Sequence, residues 1–169
     1  MWLIVALELL TFGILFVMIA LLRTSQAAVF HAGQDALSPG FGLGLTLLLI
    51  TSGYFAAEAV HAARGGIVKR ARVLFGAAIA GGLGFVVLKV VDTAHHLAAG
   101  HRLGVDDFWD AYFLSTGFHF LHVLVGLTLL IIFGLRRDKE IEAVAAAALF
   151  WHLCDLAWFF LFPLLYVKA

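Results

Sequence analysis

Apolar residues along this chain gather into five runs of roughly 20 residues, the length that crosses a bilayer as a helix. The runs cover about 2–22, 41–63, 73–97, 111–135 and 143–167, and they predict an all-α integral membrane bundle of five transmembrane helices in a single membrane domain, 1–169. The first run stops at Arg23-Thr-Ser-Gln, and a loop with Gly33, Asp35, Ser38, Pro39 and Gly40 leads to the second, where Ser38 and Pro39 suit a helix start. Between the second and third runs, Arg64 to Arg72 contains Gly65 and Gly66, which fits a short turn between antiparallel helices. The stretch 98–110 holds His101, Arg102, Asp106, Asp107 and Asp110 and reads as another loop. Gly76, Gly81 and Gly84 in the third run permit close helix approach.

Composition agrees with a membrane protein. Hydrophobic residues make up 63% and charged ones 13%, against about a quarter charged in soluble domains; mean hydropathy is +1.04. The net charge is zero and no basic tract is present, so a nucleic-acid partner is not expected. The basic residues mark topology instead. Arg64, Lys69, Arg70, Arg72, Arg136, Arg137 and Lys139 fall on one side, and only Arg23, Arg102 and Lys168 on the other. By the positive-inside rule the N-terminus is cytoplasmic and the C-terminus periplasmic, as for a multi-pass protein of the bacterial inner membrane. Trp2, Trp109, Tyr112 and Tyr166, near helix ends, read as interfacial anchors. The apolar start lacks a basic leader and a small-residue cleavage motif, so the first run is expected to be retained. Cys154 stands alone, which leaves no disulfide framework or CxxC site and suggests a small residue in a helix interface.

Polar side chains inside the apolar runs carry whatever chemistry there is. His119 and His122 are three residues apart, as are His152 and Asp155, so each pair shares one helix face. Ionisable groups in a bilayer are expensive, and these faces are expected to turn into the bundle and satisfy one another. Lys89 and Asp92 fit an intrahelical ion pair, with His96 one turn beyond Asp92. Glu8 and Glu58-x-x-His61 both map toward the cytoplasmic ends of the first two helices, which makes them candidate neighbours at the mouth of a proton path or beside a lipid headgroup. His119, His122, His152 and either His95 or His96 lie on three helices, so a haem or metal site is a rival reading. Di-iron bundles need two Glu-x-x-His motifs, and residues 58–61 supply one. A polar seam is therefore preferred. A solute carrier is the weakest reading, because no paired repeat of broken helices is present.

Two of these stretches resemble a known family. Gly-Phe-His-x-x-His-Val-x-x-Gly at 117–126 and Trp-His-x-x-Asp-x-x-Trp at 151–158 are similar to the last two helices of haem-copper oxidase subunit III. Glu8-Leu-Leu-Thr-Phe12 is similar to that family's buried glutamate with its following aromatic, and Thr51-Ser-Gly53 with His61 resembles the next helix. Lys89-x-x-Asp92 resembles a Lys/Gln-x-x-Glu-Tyr signature, with Asp92-Thr93 standing in place of Glu-Tyr. The chain begins where the family's third helix begins, and so looks most like the short five-helix, NorE-type accessory protein of nitric oxide reductase; subunit III of a cytochrome c or quinol oxidase is the alternative. The resemblance implies a subunit with no catalytic site, haem or metal of its own. It implies bound phospholipid and a partner, the catalytic subunit of nitric oxide reductase or a related haem-copper oxidase, which carries the haem and the non-haem iron or copper. Carried over by position, Glu8, His61, Asp92, His119, His122, His152, Asp155 and Trp158 are polar-seam or lipid-binding candidates. An independent haem- or metal-binding membrane redox protein is the alternative of another class.

Overall fold

A computed structural model describes residues 2–134 and 141–168, apart from the side chain of Trp2. The described residues form six helices and no strand: α1 (Trp2–Ser25), α2 (Ala27–Ala36), α3 (Pro39–Arg64), α4 (Val68–Ala98), α5 (Asp107–Gly134) and α6 (Ile141–Tyr166). All except α2 are long and apolar enough to cross a membrane.

The expected spans are therefore present, with three changes. The stretch read as a loop after Arg23 folds into α2, whose Phe30, Gly33 and Gln34 are buried at helical spacing; one short apolar stripe is too little to stand out among neighbouring transmembrane runs. Helix α4 begins at Val68, so Lys69, Arg70 and Arg72 belong to its first turns and the turn proper is Gly65–Ile67. Gly66 takes the left-handed φ of +75° that closes that turn. Helix α5 begins at Asp107, four residues early, because Asp106 accepts from the Trp109 amide at 2.9 Å and Asp107 and Asp110 occupy the electropositive first turn. The Ser38–Pro39 start of α3 is as read, with Ser38 accepting from the Phe41 amide. Arg136, Arg137 and Lys139 lie outside the described residues.

Helices α3 and α4 make the most extensive contact, followed by α5 with α6 and α3 with α6. Between apolar helices in lipid there is little hydrophobic gain, so close packing and interhelical hydrogen bonds hold such a bundle. Both are visible. A Cβ on Gly82 would sit 2.7 Å from the Trp151 ring, so this glycine makes the room that the fully buried indole fills. By contrast a Cβ on Gly76 would meet nothing within 4 Å, and that glycine plays no part in helix approach. Cys154 is buried in the α5–α6 interface beside Gly126, as expected of a small interface residue. Helix α1 lies chiefly against α6, with smaller contacts to α5 and α2.

Candidate functional site

Three polar clusters run through the bundle. In the first, near the α2 end, Lys89 Nζ lies 2.9 Å from Asp92 Oδ2 and 2.7 Å from Tyr112 Oη. Tyr112 in turn donates to Asp92 at 2.7 Å, and His96 Nε2 lies 3.5 Å from the other carboxylate oxygen. The ammonium also stands 4.5 Å from the Tyr112 ring centroid and 5.7 Å from that of Trp158. The intrahelical pair and its His96 neighbour are thus as read. Tyr112 was not foreseen in this role: it is fully buried, and together with buried Trp109 and Tyr166 it corrects the reading of these three as interfacial anchors. A Tyr or Trp near a helix end has the same sequence signature whether it faces headgroups or a neighbouring loop. Here the loop supplies His101, stacked on Trp109 at 3.8 Å. Burial and the nearby His96 imidazole pull the His101 pKa below the ordinary histidine value.

The second cluster holds the residues of the two motifs. His119 is fully buried between Phe12, Phe85 and Trp158, and its Nε2 donates to the Cys154 carbonyl at 3.0 Å. His122 Nδ1 donates to the Phe118 carbonyl at 2.8 Å, while Nε2 meets Glu8 Oε2 at 2.9 Å. A carbonyl only accepts, so Nδ1 carries hydrogen. Asp155 Oδ2 lies 3.3 Å from His152 Nδ1 in the same helix. A Cβ on Gly53 would come within 1.9 Å of that oxygen, which places the carboxylate directly against the α3 backbone.

The two histidine motifs meet in one hydrogen bond, His119 to the Cys154 carbonyl, and their other polar side chains find partners elsewhere. His119 uses the α6 backbone, His122 turns to α1, and His152 pairs within α6 with its side chain 42% exposed. Nor are Glu8 and Glu58 neighbours in the sense expected: Glu8 pairs with α5, and Glu58 faces Arg70 at 3.4 Å near the α3–α4 turn. The reason is packing order, since α1 leans on α6 and not chiefly on α3. His61 is exposed and outside the clusters.

The third cluster joins buried hydroxyls to indoles. Trp151 Nε1 donates to Ser52 at 3.1 Å, and Ser52 donates to the Ala78 carbonyl at 2.6 Å. Trp158 Nε1 donates to Thr46 at 3.0 Å, and Thr46 donates to the Gly42 carbonyl at 2.8 Å. Trp158 is thus tied to α3 through a buried hydroxyl.

This arrangement defines a multi-span helical membrane protein in which Glu8, Lys89, Asp92, His96, His119, His122, His152 and Asp155 contact one another or the backbone, while Nδ1 of His96 and of His119 and Oδ1 of Asp155 are buried without a protein partner. The described residues contain no group of three or more His, Cys, Asp or Glu placed to hold a metal ion. Comparison with known proteins identifies the family. The family model for cytochrome c oxidase subunit III matches residues 27–169, and the chain belongs to that family. A cytochrome c oxidase subunit 3 from Corynebacterium diphtheriae is 31% identical over 140 residues, covering 79% of this chain and 68% of the relative. A quinol oxidase subunit 3 from Bacillus subtilis is 24% identical over 174 aligned residues, covering 99% of this chain and 85% of the relative. The similarity to a quinol oxidase subunit 3 from Bacillus spizizenii, 28% identical over 131 residues and 74% of this chain, spans 64% of that relative, somewhat under two thirds of its length. The five spans and the bacterial relatives make this a multi-pass protein of the bacterial inner, or cytoplasmic, membrane.

Proposed function

We propose that this chain is a non-catalytic accessory subunit that binds the catalytic subunit of a haem-copper oxidase and supports its stability and activity. The observation that carries the reading is the combination of family membership with a bundle in which His119, His122 and His96 each set a ring nitrogen against a different partner, the Cys154 carbonyl, Glu8 and Asp92. Haem and metal then belong to the partner, and phospholipid is bound along the seam and the outer faces. The relatives named above are cytochrome c and quinol oxidase subunits, which moves those oxidases ahead of nitric oxide reductase as the partner. From the positive-inside asymmetry we read the N-terminus as cytoplasmic and α2 as lying on the opposite face.

The experiment is a mild-detergent purification of the tagged chain from its own membrane, with mass spectrometry of what co-elutes. Near-stoichiometric recovery of a large haem-bearing oxidase subunit is the expected result. Recovery with a nitric oxide reductase subunit would restore the narrower reading, and recovery of the chain alone would overturn the accessory role.

A further inference from the structure

The loop between α4 and α5 carries a cluster of rings that neither the seam nor the family relationship uses. His101 lies flat on the Trp109 indole, with centroids 3.8 Å apart and planes 12° from parallel. His96 stands beside both, its centroid 5.6 Å from that of His101 and 5.2 Å from that of Trp109. Exposed His95 lies 5.7 Å from His96. Trp109 and His96 are buried, at 3% and 5% exposure, whereas His101 is partly exposed. The His101 ring is therefore the outermost layer over both. Beneath it, His96 Nε2 leads to Asp92, and Asp92 to Lys89 and Tyr112.

The backbone around this ring is pinned. The His101 amide donates to the His96 carbonyl at 3.0 Å, the Gly104 amide donates to Asp110 at 2.6 Å, and Asp106 accepts from the Trp109 amide. The ring is held differently. Its Nδ1 is buried without a hydrogen-bond partner among the described residues, and so is Nδ1 of His96. Stacking, and no hydrogen bond at that atom, keeps His101 in place.

A proton on His101 upsets this arrangement. An imidazolium carries hydrogen on both nitrogens, and a charged donor buried without an acceptor has lost its hydration for nothing. His95 and His96 face the ring from α4, Asp106 from the loop and Trp109 from α5, while Asp92 and Tyr112 lie one layer further in. Burial, then His96 and His95, oppose the charge; Asp106 and the indole face favour it. Burial prevails and holds the His101 pKa below the ordinary value of 6.5.

We propose that the His101 ring is a pH-operated gate. Neutral, it lies on Trp109 and closes the His96–Asp92 end of the buried cluster from water; protonated, it swings out and opens that end. The open ring titrates as in water and the closed ring lower, so the closed form is complete above 6.5 and gives way as the pH falls below it. The gate lies beside α2, where Gln26 bonds Asp107 and Phe30 packs on Phe108, and so on the face we read as periplasmic. It rests on neither the identity of the partner nor the accessory reading.

The test is hydroxyl-radical footprinting of the full chain in mild detergent at pH 8 and pH 5. Oxidation of each tryptophan is read by peptide mass spectrometry and normalised to a free dosimeter. Trp109 oxidation is expected to rise at least about twofold on acidification, with the buried Trp151 and Trp158 unchanged. His101→Phe keeps a ring on the indole that takes up no proton, and is expected to hold Trp109 at its pH 8 level throughout. His101→Ala removes the gate and is expected to give the acid level at both pH values. His101 lies outside the spans, so both variants are expected to keep the helical signal of the parent. Equal Trp109 oxidation at the two pH values, a rise that survives in His101→Phe, or a rise shared by Trp151 and Trp158 would overturn the proposal.

Discussion

Helix α6 and helix α1 are both long and apolar, yet they are attached in different ways. In an 18-residue apolar stretch of α6, 56% of residues are buried; in the corresponding stretch of α1, 11%. Helix α6 meets its neighbours through backbone-close contacts: Asp155 against Gly53, Trp151 against Gly82, and indole nitrogens on Ser52 and Thr46. Helix α1 is held by a few points, namely Phe12 and Ile19 buried on one face, the Glu8–His122 bridge, and Arg23 on the last carbonyls of α6. Hydropathy cannot tell these cases apart. What separates them is where small residues meet large ones across an interface, so α6 is built to resist change and α1 to tolerate it.

Substitution can break the contrast most sharply at glycine. Gly53→Ala puts a methyl group on Asp155 and is expected to destabilise the bundle by about 3 kcal/mol, the upper end for overpacking. Gly13→Ala in α1, where a Cβ meets nothing within 4 Å, is expected to change little. Unfolding in mixed micelles reads both, and equal tolerance of the two would dissolve the comparison. Next comes Ser52→Ala, which leaves the Trp151 indole N–H and the Ala78 carbonyl without their hydroxyl; a loss of about 2 kcal/mol is expected in the same assay. Smaller still is Glu8→Gln. An amide can keep contact with His122, so under about 1 kcal/mol is expected, with hydrogen exchange rising in α1 and unchanged in α6. Global unfolding of this variant would show that α1 is integral to the bundle.

The smallest effect concerns pH and lies outside the spans. The folded state holds His101 below its unfolded pKa, so it favours the neutral imidazole. Its contribution is complete above the unfolded value and declines as pH falls through it and then through the folded value. The melting temperature is expected to drop slightly from pH 8 toward pH 5, and His101→Phe, which preserves a ring on Trp109, is expected to remove part of that slope.

Much of this was legible beforehand because the physics is local. Five spans follow from run length, the Lys89–Asp92 pair and its His96 neighbour from helical spacing, and the start of α3 from Ser38–Pro39. Helix α2 was hidden because ten residues with a three-residue buried stripe resemble a polar loop. The partners of Glu8 and His122 were hidden because pairing between helices depends on which helices adjoin, and sequence order suggested α1 beside α3. Tyr112 looked like an anchor because a phenol at a helix end reads alike whether it faces headgroups or a buried lysine.

We propose that the buried histidines serve the bundle and that haem and metal belong to the partner subunit. The most direct measurement is the visible spectrum and metal content of the isolated, detergent-purified chain beside that of its membrane complex. The account predicts a Soret band and metal only where the partner subunit is present. A Soret band or stoichiometric metal in the isolated chain, lost on His119→Ala with the helical signal preserved, would contradict it.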